Sequence, residues 1–119
     1  VSGDELTVRG DGHFIERAVI NLLNNAIRHA KSQVIVEVYQ TDNAVNIAVN
    51  DDGSGVEPAL ASRIFDPFFR PDNSRVRYAG GAGLGLAIVQ RIQLWHQGSA
   101  SVTSSRSLRG ACFILSYPL

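Results

Sequence analysis

Gly80-Gly81-Ala82-Gly83-Leu84-Gly85-Leu86-Ala87-Ile88-Val89 is the stretch that decides how this 119-residue chain is read. Gly80, Gly81, Gly83 and Gly85 run directly into an apolar series that continues at helical spacing through Ile92 and Leu94. The pattern predicts a loop without side chains that opens into a helix over 84–97. Glycine lets backbone N–H groups approach a ligand closely, and a helix start adds unpaired N–H donors at its positive end, so the combination suits phosphate. No Gly-Lys-Ser/Thr follows and no strand leads straight in, so neither the P-loop nor the dinucleotide fingerprint applies. By itself the segment also fits a flexible linker before a core helix; its neighbours must decide.

The length fits one domain, 1–119, with a core of its own. A 45% hydrophobic share excludes disorder, and 11 basic against 11 acidic residues give no signal for nucleic acid. Cys112 stands alone in an apolar run, which rules out a disulfide framework or a cysteine zinc site and reads as a buried thiol. No apolar run approaches the ~20 residues of a bilayer span, so direct membrane contact is not expected. The start at Val1-Ser2-Gly3, without Met, reads as a piece of a longer chain.

Outward from the glycines, periodicity gives the other elements. A short strand is predicted at 6–9, and Asp11 is placed to cap a helix over 13–30. That helix repeats apolar residues at Phe14, Ala18, Leu22, Ala26 and Ala30. Two β-branched runs, 33–40 and 44–50, flank Thr41-Asp42-Asn43 as a hairpin. A short helix is predicted over 58–65, opened by Glu57-Pro58 and broken at Asp66-Pro67. The segment 71–83 reads as a mobile lid. Strands at 99–104 and 111–117 form a second hairpin. The expected fold class is α/β (α+β): a two-layer sandwich, a mixed sheet of about five strands with about three helices on one face.

Four groups of residues carry possible chemistry. Asn21, Asn24, Asn25, Arg28 and His29 interrupt the first helix, with Asn21, Asn25 and Arg28 on one face. Amide oxygens suit a hard cation, and Arg or His suits phosphate or a base ring. A plain solvated face would more readily carry carboxylates and lysines. Asp51-Asp52-Gly53-Ser54-Gly55 ends a strand, where one carboxylate can accept from an exocyclic amine while the glycines keep the backbone close; a simple turn has the same look. Phe65, Phe68 and Phe69 bracket the lid entrance as a small satellite core. Arg70, Arg75 and Arg77 put cations on or near the lid. His13 reads as a surface residue, and His96 as a residue at the C-terminal end of the second helix.

Taken together, the blocks resemble the N, G1, F and G2 boxes of one family. Asn21-Leu22-Leu23-Asn24-Asn25-Ala26, Asp51-Asp52-Gly53-Ser54-Gly55, Phe65-Asp66-Pro67-Phe68-Phe69 and Gly81-Ala82-Gly83-Leu84-Gly85-Leu86 occur in its order and spacing. The chain thus resembles the catalytic, ATP-binding domain of a bacterial sensor histidine kinase, a member of the GHKL superfamily with the Bergerat fold. The resemblance implies ATP/ADP and Mg²⁺ as cofactors, with Asn25 as the metal ligand and Asn21 and Arg28 near the phosphates. Arg70 would join Asn21 and Arg28 in transfer. Asp51, Gly53, Gly55 and Val56 would shape the adenine pocket, along with Phe65 and Phe68. His29 stands where the family often has Tyr, a departure at the base-stacking position. Gly81, Gly83, Leu84, Gly85 and Leu86 would close over the triphosphate.

Asn21 also separates the branches of the superfamily. Hydrolysing relatives carry a Glu there as general base, and an amide cannot take up a proton at neutral pH. The resemblance therefore implies phosphoryl donation to a histidine, which no H-box match supplies at His13, His29 or His96. The implied partners are the dimerisation domain that bears the acceptor histidine and a response regulator. The implied location is the cytoplasmic side of the bacterial inner membrane, where the parent protein is anchored. The alternatives are a hydrolysing GHKL ATPase, a serine kinase of the same fold (the anti-sigma-factor type) and a degenerate docking module.

Overall fold

The computed structural model describes residues 10–66 and 85–119. The strand expected at 6–9 and the lid expected at 71–83 lie outside those residues.

Helix α1 (Gly12–His29) begins where its sequence caps it. The Asp11 carboxylate accepts from the N–H of His13 at 3.0 Å and of Phe14 at 3.4 Å, satisfying two of the donors a helix start leaves open. Ala18, Leu22 and Ala26, four residues apart, are its fully buried stripe. The chain leaves the helix at Ala30 in an extended conformation and turns into β1 (Val34–Gln40).

Strands β1, β2 (Ala44–Asp51), β3 (Ser99–Ser104) and β4 (Ala111–Pro118) make a sheet in the order β1-β2-β4-β3. Each pairing is antiparallel, and the two hairpins join where β2 lies against β4. The register sets Val36 beside Val49, Val49 beside Phe113 and Phe113 beside Val102. With Leu115 and Tyr117 these residues form the floor on which Ala18, Leu22, Val89 and Ile92 pack. Each of the buried Val, Leu, Ile and Phe side chains among them contributes about 1.5–3 kcal/mol.

Helix α2 (Gly85–Trp95) ends two residues short of the expected 97, while 84, its expected first residue, lies outside the described residues. Gln97 takes the left-handed conformation with φ 60, the Gln97 N–H donates to Leu94 O at 3.1 Å, and the Gly98 N–H reaches back to Gln93 O at 2.8 Å. This closing motif ends the helix at Trp95, with the left-handed residue one position before the glycine. Gly98 is required for a different reason: a β-carbon there would overlap the Ser116 carbonyl. The buried Gln93 amide locks the same corner, donating to Ser99 O at 2.9 Å and Ser116 O at 3.1 Å. His96 does sit at the helix end, its Nδ1 2.8 Å from Ile92 O. Its Nε2 accepts the Asp11 N–H at 2.9 Å, so the ring also ties the end of α2 to the start of α1.

The two-layer α/β arrangement is as expected. The four described strands form an antiparallel sheet, and the strand at 6–9 that would bring the expected mixed sheet to about five lies outside the described residues. One expectation is corrected. The helix expected over 58–65 is a single 3-10 turn, Pro58–Leu60, followed by turns to Phe65. Glu57 makes no side-chain cap there, and the segment is too short to propagate α-helical bonding.

Candidate functional site

The end of α1, the end of β2 and the β3–β4 turn meet at Asp51. This residue is 2% exposed, and a buried carboxylate must be compensated. Its Oδ1 accepts from the Gly53 N–H at 2.8 Å and from the Ala111 N–H at 3.3 Å. Among the described residues both bonds fall on one oxygen, which leaves Oδ2 acceptor capacity to spare. The walls around it are backbone. A β-carbon on Gly53 would overlap the His29 carbonyl oxygen, and one on Gly110 would lie 2.5 Å from Asp51 Oδ1 and 2.6 Å from the Gly53 nitrogen. Gly55 adopts φ 83, a conformation that side chains disfavour, and turns the loop away.

Asp52 anchors this loop to the end of α1. Its Oδ1 accepts the Lys31 N–H at 2.7 Å and the Ser32 N–H at 3.0 Å, and its Oδ2 accepts the Ser32 hydroxyl at 2.9 Å. The Ser32 N–H foremost, with further donors from Gln33 and Lys31, holds the Asp52 carboxyl well below the usual carboxylate range. In the sequence Asp52 reads only as part of the Asp51–Gly55 turn, and nothing marks the Gly110–Ala111 edge. Both act across long chain separations, and no local pattern reports them.

On α1, Asn21 and Asn25 are half-buried one turn apart, while Asn24, Arg28 and His29 are exposed. Asn21 Nδ2 is buried without a hydrogen-bond partner. A buried orphan donor is rare in a folded protein and argues against a merely solvated face. The His29 ring has its pKa lowered, first by partial burial and then by the Arg28 charge, with the Asp51 carboxylate pulling the other way. Asp51 is thus within electrostatic reach of His29, and the structure brings the asparagine helix and the Asp-Gly loop together.

Four more of the expected residues fall among the described ones. Phe65 is buried in the core, its ring edge-on to Phe113 at 6.1 Å, and Val56 is partly buried against that core. Gly85 is the first described residue of α2, with no other described residue within 4 Å of where its β-carbon would stand, and Leu86 packs inward. Phe68, Arg70, Gly81, Gly83 and Leu84 lie outside the described residues. Among the described residues there is no cluster of three or more His, Cys, Asp or Glu, and no helix long and apolar enough to cross a membrane.

Comparison with known proteins gives the family and agrees with the fold. Residues 10–119 match the family described as histidine kinase-, DNA gyrase B-, and HSP90-like ATPase. The chain is 39% identical over 118 residues to the sensor histidine kinase CusS of Escherichia coli O6:H1, covering 98% of this chain and 24% of that protein. It therefore spans about a quarter of the curated relative's length. Among solved structures, the mycobacterial sensor histidine kinase MprB superposes with a TM-score of 0.82 at 32% identity, covering 93% of this chain and 76% of that one. Full-length ShkA in complex with AMPPNP gives 0.78 at 30%, covering 94% of this chain and 23% of that one.

Proposed function

The chain belongs to the histidine kinase-, DNA gyrase B-, and HSP90-like ATPase family, and from that premise we propose that it is the catalytic ATP-binding domain, 1–119, of a sensor histidine kinase. It binds Mg-ATP and donates the γ-phosphoryl group to a histidine on the dimerisation domain of the same protein, from which a response regulator is phosphorylated. The parent protein sits in the bacterial cytoplasmic membrane with this domain on the cytoplasmic side.

The observation that carries this reading is the Asp51 carboxylate. It is buried, fixed through one oxygen by two backbone N–H groups, and walled by glycines close to the asparagine face of α1. Such an acceptor recognises a flat heterocycle that bears an exocyclic amine, and adenine is one. Gly53 and Gly55 let the base approach the backbone, with His29 beside it. The unpartnered Asn21 Nδ2 donor supplies a hydrogen bond that phosphate oxygens can accept. Arg28 and Arg70 offset charge on the phosphates during transfer. Gly81, Gly83 and Gly85 are the proposed source of backbone N–H donors for the phosphates.

Mg²⁺ fits this donor set. The described residues hold no acidic cluster that would cage a cation, and Mg²⁺ binds through few protein oxygens, keeping waters and phosphate oxygens as its other ligands. The Asn25 amide oxygen would be the protein ligand, and the ion would supply charge neutralisation on the phosphates. The protein's own work is positioning. Asn21 cannot act as a base, so water is not activated at that position.

Calorimetric titration with ADP and a non-hydrolysable ATP analogue, with and without Mg²⁺, tests the proposal. Binding that is tighter with Mg²⁺ and lost in Asp51→Asn is expected. No binding at millimolar nucleotide would make this a docking module that keeps only the scaffold.

A further inference from the structure

We propose that Gly110, at the end of the β3–β4 turn, is a specificity-determining position that acts through Asp51, an inference that rests on the nucleotide reading above. Gly110 lies 59 positions from Asp51 in the chain, yet its missing side chain shapes the acceptor. A β-carbon there would lie 2.5 Å from Asp51 Oδ1 and 2.6 Å from the Gly53 nitrogen, and would overlap the Asp51 carbonyl. Those are the two ends of the bond that orients the carboxylate, since the Gly53 N–H donates to Oδ1 at 2.8 Å. The residue after Gly110 supplies the second donor, the Ala111 N–H. The turn therefore both leaves room for Asp51 and aims it.

The turn is itself held in place. Ser105 is 3% exposed; its N–H donates to Gly110 O at 2.8 Å, and its hydroxyl donates to Asn50 Oδ1 at 2.9 Å while accepting the Leu108 N–H at 3.1 Å. Asn50 adjoins Asp51 and in turn donates to Glu37 Oε1 at 3.2 Å. Arg109 takes φ 69 to bring the chain round into Gly110. This closed network fixes the turn against the β2 end, so the direction of Oδ2 is set before any ligand arrives.

The consequence is discrimination at one position of a purine. An oriented carboxylate accepts from an exocyclic amine and repels a carbonyl oxygen in the same place, whereas a carboxylate free to rotate does both less well. Gly110 and Ser105 are positioning residues, and neither touches the ligand.

The test is titration of the wild-type chain, Gly110→Ala and Ser105→Ala with ADP and with IDP, which differ at that amine. Wild type should bind ADP at least about tenfold tighter than IDP. In Gly110→Ala this ratio should fall towards one, and in Ser105→Ala it should fall in the same direction by less. A purely structural role would weaken both ligands alike and leave the ratio standing. An unchanged ratio in folded Gly110→Ala overturns the inference alone. If circular dichroism shows that variant unfolded, an unchanged ratio in Ser105→Ala does the same. Wild-type protein that binds both nucleotides equally, or neither, overturns the reading of Asp51 and this inference with it.

Discussion

The backbone carbonyl of His29 fills the space in which a β-carbon on Gly53 would have to stand, with its carbonyl carbon 3.0 Å from that point. Helix and loop therefore touch main chain to main chain. Neither partner is a flexible side chain, so neither can swing aside. Gly53→Ala should part the end of α1 from the β2 loop and cost about 1–3 kcal/mol. The same parting moves His29 and the Asn25 turn away from Asp51. A lower melting temperature together with weaker ADP binding is the expected result, read by thermal denaturation and titration. A variant with both unchanged would show that the contact yields without consequence.

Asn21 allows stability and binding to be separated. Its buried Nδ2 has no partner, and asparagine is a poor helix former. Asn21→Ala removes an unsatisfied donor and improves helix propensity, so the ligand-free domain should gain up to about 1 kcal/mol. The rise in melting temperature on adding Mg-ADP should nevertheless shrink. A variant that melts lower and keeps the full ligand-induced rise would place Asn21 in the scaffold instead.

The sequence made the elements legible wherever a local period or cap defined them. Asp11 capping α1, the Ala18-Leu22-Ala26 stripe and the two hairpins fall within a residue or two of expectation. Asp51 and the asparagines stood out because each is costly where it sits unless something uses it. What stayed hidden is non-local. Gly110 looked like any hairpin glycine, and only the sheet register brings it against Asp51. Asp52 looked like half of an acidic turn, although its work is to bind the Lys31 and Ser32 N–H groups some 20 residues earlier. The ring of His96 was expected at a helix end, but its grip on the Asp11 N–H 85 residues away has no sequence signal.

Gly85 and Gly12 form a matched pair. Gly12 is the first residue of α1 and Gly85 the first described residue of α2, and among the described residues nothing lies within 4 Å of a β-carbon at either. Alanine at either site should therefore stabilise the ligand-free domain by about 0.4–1 kcal/mol, by restricting the unfolded chain. Only Gly85 lies at the proposed phosphate end. Gly85→Ala should weaken binding of the ATP analogue by several-fold, while Gly12→Ala should leave it unchanged. Equal affinity in the two variants would move the phosphate site away from the start of α2.

Tyr117 supplies a pH-dependent test of the core that does not involve the site. Its side chain is 1% exposed, its hydroxyl is buried without a partner, and burial pushes the phenol up to about 12. The unfolded chain gives up this proton near pH 10, whereas the folded chain keeps it until about 12. The associated stability is fully present below pH 10 and is lost as pH rises through that window, to the extent of roughly 2–3 kcal/mol. Tyr117→Phe keeps the ring, discards the unsatisfied hydroxyl and cannot ionise. It should be about 1 kcal/mol more stable at pH 7 and should lose less stability between pH 10 and 12 than wild type. Denaturant midpoints for the two proteins at pH 7, 9 and 11 give the comparison directly. A variant that is weaker at pH 7 and falls just as steeply in alkali would mean that the Tyr117 hydroxyl has a partner in solution.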